Sequence, residues 1–299
     1  MPGKLKIVSG RFSYDLAQKV AHSCGIKLTK VSVHQFMDGE FQPMCDEDIR
    51  SADVYIIQST FSPSENFLEL LMLIDAARRA SARSIVAIIP YFGYGRQDRM
   101  DRPRVSIAAR LHARLLSAAG ANRVVTLDLH FEQIEGFFDV PIDHLHSTEL
   151  FCAYIKSLHL DHLTFGAKEI SGIVRAEQYA ALFDTNIVIF HGVKPRYYSN
   201  PKAFYEDVEG RDVIIPDDIV DTGRSIYRAT QWMMNYGAAS VRAIFTHPVF
   251  SRDAYEYIER SDLTELVVKD SIPHKRYCSK IKVLSMAEMF AEVIEGCLM

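Results

Sequence analysis

Residues 213–225, VIIPDDIVDTGRS, decide the fold class of this chain. The apolar start has the look of a strand buried on both faces, the kind found inside parallel sheets. Two carboxylates follow, Asp217 and Asp218, then a short loop and a helix start. Asp221 or Thr222 is the expected N-cap, and Gly223 lets the backbone come close to a ligand. Unpaired N–H groups at a helix N-terminus favour an anion such as phosphate. Adjacent carboxylates suit a pair of sugar hydroxyls or a hydrated magnesium ion. Phosphate at one end and a diol at the other fits a sugar phosphate. The plainer alternative is an acidic pair that merely complements the helix dipole.

Similar apolar runs recur along the chain at 54–57, 85–89, 124–129, 187–190, 241–245, 265–268 and 281–284. Helical periodicity lies between them at 66–82, 105–119, 149–158, 222–236 and 286–295. In the first of these, Phe67, Leu70, Leu71, Ile74 and Ala77 form one stripe. Strand–helix alternation predicts an α/β chain of doubly wound, mostly parallel sheets. Segments 31–36 and 40–44 flank Asp38-Gly39 as a hairpin. At 299 residues, two domains are expected. The boundary is placed near 147, giving domains 1–147 and 148–299.

Composition narrows the function. Lys and Arg number 34 against 38 Asp and Glu, for a net charge of −4, which argues against a general nucleic-acid binder. Five scattered cysteines with no CxxC pair indicate neither a disulfide framework nor a structural zinc site. Residues 67–77 contain Glu69 and Asp75 and are too short to span a bilayer. A reduced, cytoplasmic protein with no membrane partner is expected.

Ligands of parallel sheets bind outside the carboxyl ends of strands, and several runs end there in polar residues. IVAIIPYFGYG leads into Arg96, Gln97, Asp98 and Arg99, either a charged surface loop or, behind Gly93 and Gly95, a polyphosphate site. The run at 124–129 includes Asp128 and leads into His130, which suits a general base or a metal ligand and, by itself, a satisfied core histidine at least as well. His247-Pro248 follows another strand. All are expected to line one sheet edge. FMDGEF (36–41) reads either as a purine platform built on Phe36 or as a hairpin with a buried Phe; residue types alone favour the hairpin.

With FMDGEF, the motifs IIQSTFSPSENFLELLMLIDAARRASA (56–82), IPYFGYGRQDR (89–99), DLHFEQIEGFF (128–138), GIVRA (172–176), DDIVDTGRS (217–225) and THPVFS (246–251) form a set. This set resembles the ribose-phosphate pyrophosphokinase family from about residue 5 to 295. The resemblance implies two tandem phosphoribosyltransferase-like domains with the active site between them. It implies transfer of the β,γ-diphosphoryl group of Mg-ATP to the anomeric hydroxyl of ribose 5-phosphate. ATP would be held by Phe36, Asp38, Glu40, Arg96, Gln97 and Asp98. Ribose 5-phosphate would be held by Asp217, Asp218, Asp221, Thr222, Gly223, Arg224 and Ser225. Magnesium would sit by His130 and Glu169. A homo-oligomer built on dimers, up to a hexamer, is also implied.

Three departures stand out. Lys168-Glu169 occupies the place of a Pro-Asp pair, so Glu169 keeps a carboxylate on a longer stem. The catalytic loop that normally carries Lys-x-Arg directly after its strand has His191-Gly192-Val193 there, with Lys194-Pro195-Arg196 two positions later. A shifted loop would make Lys194 and Arg196 the catalytic cations, with His130. Without such a shift, the chain would be a weak or inactive paralogue assembling with an active synthetase. Asp48 replaces a serine of the family's regulatory phosphate site, while Arg50 and Ser81 remain.

Overall fold

A computed structural model describes residues 4–168, 172–190 and 208–296. The chain divides into two compact units, described separately here. The first contains β1 (Leu5–Ser9), α1 (Tyr14–Ser23), β2 (Val31–Gln35), β3 (Phe41–Cys45), β4 (Asp53–Ile57), α2 (Glu65–Arg79), β5 (Ser84–Ile89), α3 (Ala108–Ala119), β6 (Arg123–Leu127) and β7 (Ile142–Leu145). Its parallel sheet runs β1-β4-β5-β6-β7, and β2 and β3 form a separate antiparallel hairpin. The second contains α4 (Thr148–Ser157), β8 (Leu163–Ala167), α5 (Ile173–Phe183), β9 (Ile187–Ile189), β10 (Asp212–Val220), α6 (Arg224–Asn235), β11 (Ser240–Pro248), α7 (Ala254–Arg260), β12 (Glu265–Lys269) and β13 (Ile281–Leu284). Its strands order as β13-β12-β11-β10-β8-β9, all parallel.

Alternation along each strand feeds two cores. In the first sheet, Val54, Ile56, Ala87 and Ile89 meet α2 and α3 through Phe67, Leu70, Leu73, Ile74 and Leu116. Tyr55, Ile57, Val86 and Ile88 face the other way, onto Leu16 and Val20 of α1. That second face is completed by α8 (Ala287–Gly296) through Phe290 and Ile294. Residues 285–296 therefore belong to the first unit, where the sequence placed them in the second domain. The physical reason is apolar: α1 alone leaves that sheet face only partly covered. The first unit's main stretch ends at His146.

Two local expectations are corrected. β10 does not stop at Pro216; β11 keeps pairing to Val220, opposite Pro248, so Asp217 and Asp218 lie within the strand. Pro216 is tolerated because pairing with β8 has already ended at Ile214. The polar strand ends also belong to two sheets, not one: residues 96–99 and 128–130 follow β5 and β6, whereas 217–218 and 247 lie in β10 and β11.

Candidate active site

In the second unit, the end of β10 delivers Asp217 and Asp218 beside the last residues of β8. Lys168 reaches Asp217 Oδ2 at 2.8 Å. The Asp218 backbone N–H donates to Asp217 Oδ1 at 2.9 Å. Arg175, in the first turn of α5, lies 3.9 Å from each carboxylate. Asp218 is only 4 % exposed. Burial pushes the Asp217 carboxyl above its ordinary range; Lys168 opposes this and Asp218 adds to it. One buried and one largely buried acid thus face two cations.

The loop after β10 ends at Gly223, whose φ of +72° makes it the N-cap of α6. A side chain there would be strained, and its Cβ would stand 3.0 Å from the Ala254 carbonyl oxygen. Neither Asp221 nor Thr222 caps the helix, as the sequence suggested. Asp221 instead accepts a hydrogen bond from Ser251 Oγ. The helix N-terminus has no side-chain cap. Its first residues, Arg224 and Ser225, are exposed. Arg224 lies over Tyr257 and donates to its hydroxyl at 3.0 Å. His247 is buried in β11.

In the first unit, the loop after β5 is pinned by close backbone approach. Gly93 N–H donates to Thr60 Oγ1 at 2.7 Å. A Cβ on Gly93 would stand 1.9 Å from the Thr60 carbonyl oxygen, so no other residue fits this conformation. Tyr94, at φ 62°, stacks on His112. The loop then presents Arg96, Gln97 and Arg99 to solvent, while Asp98 turns inward and accepts from Gln133 Nε2. Arg99 lies over the Phe131 ring.

The neighbouring strand β6 is followed by Asp128, at φ 39°, and then by half-buried His130 against the edge of Phe131. His146 Nδ1 lies 3.7 Å from Asp128, which raises the imidazole's proton affinity. His144 accepts from the Leu129 N–H at 2.9 Å and pairs with Glu135 at 2.6 Å. The hairpin tip places Phe36 outward, 45 % exposed, with Asp38 and Glu40 also exposed. The buried-Phe reading of this segment is thereby overturned. Asp38 Oδ1 accepts from the Glu40 N–H at 3.1 Å and shapes the turn.

Glu169, Lys194 and Arg196 lie outside the described residues. Sequence reasoning missed Lys168 and Arg175 as partners of the acidic pair. Arg175 was within reach, because GIVRA opens a helix after a strand; Lys168 carried no such signal.

Residues 5–120 match the model of the N-terminal domain of ribose phosphate pyrophosphokinase, and residues 195–297 match the phosphoribosyl synthetase-associated domain. The ribose-phosphate pyrophosphokinase of Porphyromonas gingivalis is 46% identical over 97% of this chain and 93% of its own. This chain belongs to that family. The Wolinella succinogenes member is 45% identical over 97% and 94% of the two chains. The crystal structure of phosphoribosylpyrophosphate synthetase from Mycobacterium smegmatis superimposes with a TM-score of 0.91, at 32% identity, covering 98% of each chain.

Proposed function

We infer that the chain is a ribose-phosphate diphosphokinase, making phosphoribosyl pyrophosphate and AMP from ATP and ribose 5-phosphate. The observation that carries this is near-full-length family identity joined to an uncapped, glycine-started helix behind a buried acidic pair. The reaction forms a bond from the anomeric oxygen to the β-phosphorus and breaks the bond between the α-phosphate and β-phosphate. The anomeric proton is lost and AMP departs. Such transfers depend on positioning and on stabilising charge rather than on covalent catalysis.

The residues divide the work by charge. Asp217 and Asp218 accept from the ribose hydroxyls, while residues 221–225 surround the 5-phosphate with backbone N–H groups and Arg224. Arg96 and Gln97 contact the polyphosphate, with Asp98 holding their loop against Gln133. Phe36 offers a stacking face for adenine, with Asp38 and Glu40 as polar partners. Lys194 and Arg196 supply the cations for the transferring group.

Magnesium is the proposed cofactor. Among the described residues no three His, Cys, Asp or Glu converge into a preformed cage. That suits an ion that keeps several waters and takes one or two carboxylates plus substrate phosphates. Asp128 offers a buried carboxylate at the end of β6, His130 stands two residues on, and Glu169 is the second protein contact proposed. When bound, the ion neutralises polyphosphate charge. The exposed hairpin supports a dimer-based oligomer in which a neighbouring copy supplies the adenine platform. Among the described residues no helix is long and apolar enough to cross a membrane, and a cytoplasmic location is proposed.

The test is AMP release from ATP with and without ribose 5-phosphate. Release should require both the sugar and magnesium, and Lys194→Ala should lower kcat by about a thousandfold. Equal release without the sugar, or an unchanged variant, would sink the reading or the loop assignment respectively.

A further inference from the structure

Lys168 occupies an unusual position. It follows the last residue of β8, next to β10 in the sheet, and its side chain is only 10% exposed. Its ammonium meets Asp217 Oδ2 at 2.8 Å and lies 5.3 Å from the ring centre of Phe245. Phe245 is the β11 register partner of Asp217. The cation is therefore fixed from two neighbouring strands at once. Arg175, at 3.9 Å, is beyond hydrogen-bond distance from both carboxylates. Of the two cations, Lys168 makes the direct bond.

The consequence for Asp217 is geometric. One oxygen is taken by Lys168 and the other by the Asp218 N–H at 2.9 Å. Together they set the plane of the carboxylate. A carboxylate has about four lone-pair sites, so acceptor capacity remains for hydroxyl groups. A buried acid left without its cation turns or draws in water, because an uncompensated buried charge is costly.

We propose that Lys168 is a positioning residue that orients Asp217 for the vicinal hydroxyls of the pentose phosphate, and so sets affinity and selectivity for the diol. This rests on the functional reading above, and adds to it a residue outside the set that holds the sugar. Lys168 touches the carboxylate, and its effect on substrate passes through Asp217.

The test is a double-mutant cycle on the full chain, read by calorimetric binding of ribose 5-phosphate and by steady-state kinetics. Lys168→Met should weaken ribose 5-phosphate about tenfold or more, with the KM for ATP within about twofold. Selectivity over 2-deoxyribose 5-phosphate should fall in parallel. Lys168→Arg should recover most of the loss. In an Asp217→Asn background, Lys168→Met should change binding by less than about twofold, because the two residues act as a unit. Should Lys168→Met not fold, Lys168→Gln carries the same thresholds.

Unchanged binding in the variant, or effects of the two substitutions that simply multiply, would overturn the role of Lys168 while leaving the function standing. A wild-type chain that neither binds ribose 5-phosphate nor releases AMP in response to it would overturn both.

Discussion

The two sheet edges handle charge in opposite ways. Behind β10, acids and cations are paired inside the protein: Asp217 and Asp218 face Lys168 and Arg175, all largely shielded from water. Behind β5, Arg96, Gln97 and Arg99 are exposed and only Asp98 is buried. A neutralised, rigid edge suits uncharged hydroxyls, which need acceptors in fixed places. An exposed cationic loop suits a polyphosphate, which brings its own charge and counterions. On a chain with a net charge of −4, exposed positive charge is thus concentrated locally, behind β5.

The largest expected effect lies behind β5. Gly93→Ala drives a Cβ to 1.9 Å from the Thr60 carbonyl oxygen. It should cost about 3 kcal/mol of stability and raise the KM for ATP, measured by calorimetric melting and initial rates. Behind β10, Gly223→Ala should cost about 1–2 kcal/mol, from left-handed strain. It should weaken ribose 5-phosphate while sparing ATP. If both glycine variants impaired both substrates equally, the division between the edges would fail.

Arg96→Ala should raise the KM for ATP about fivefold at low salt, less at high salt, since exposed charges are screened. Its KM for ribose 5-phosphate should stay put.

The smallest effect contrasts Asp53, which is buried, with Asp217, which is largely buried. Arg83 bonds to Asp53, with Nε 2.8 Å from Oδ1, and holds that carboxyl below its usual range. The stabilisation is present above the ordinary value of 3.8 and lost as pH falls through the folded value. Asp53→Asn should therefore flatten the drop in Tm below about pH 4. Asp217 is shifted the other way, so Asp217→Asn should instead relieve a loss of stability as pH rises. Identical pH slopes in the two variants would remove the contrast.

Much of this was readable in the sequence. Continuous Val/Ile runs announced β4, β5, β6, β9 and β10 through β13; most of these are buried on both faces and need no alternation, while β13 is half-exposed. β1, β7 and β8 escaped: LKIVS mixes Lys6 into a short run, IDHL carries Asp143 and His144, and LTFGA carries Gly166, which admits close packing by Met233 and Val213. Asp217 and Asp218 stood out, yet their cations did not. Lys168 reaches Asp217 only because β8 lies next to β10, a neighbourhood set by strand order and invisible in spacing. The return of α8 to the first unit was hidden for the same reason. Its apolar stripe was legible, but which sheet face lacked cover was not.

The proposed reaction transfers the diphosphoryl group as one piece. Phosphorus NMR of ATP, magnesium and ribose 5-phosphate with the full chain tests it most directly. AMP and phosphoribosyl pyrophosphate appearing in equal amounts is the expected result. ADP together with a ribose bisphosphate would contradict it.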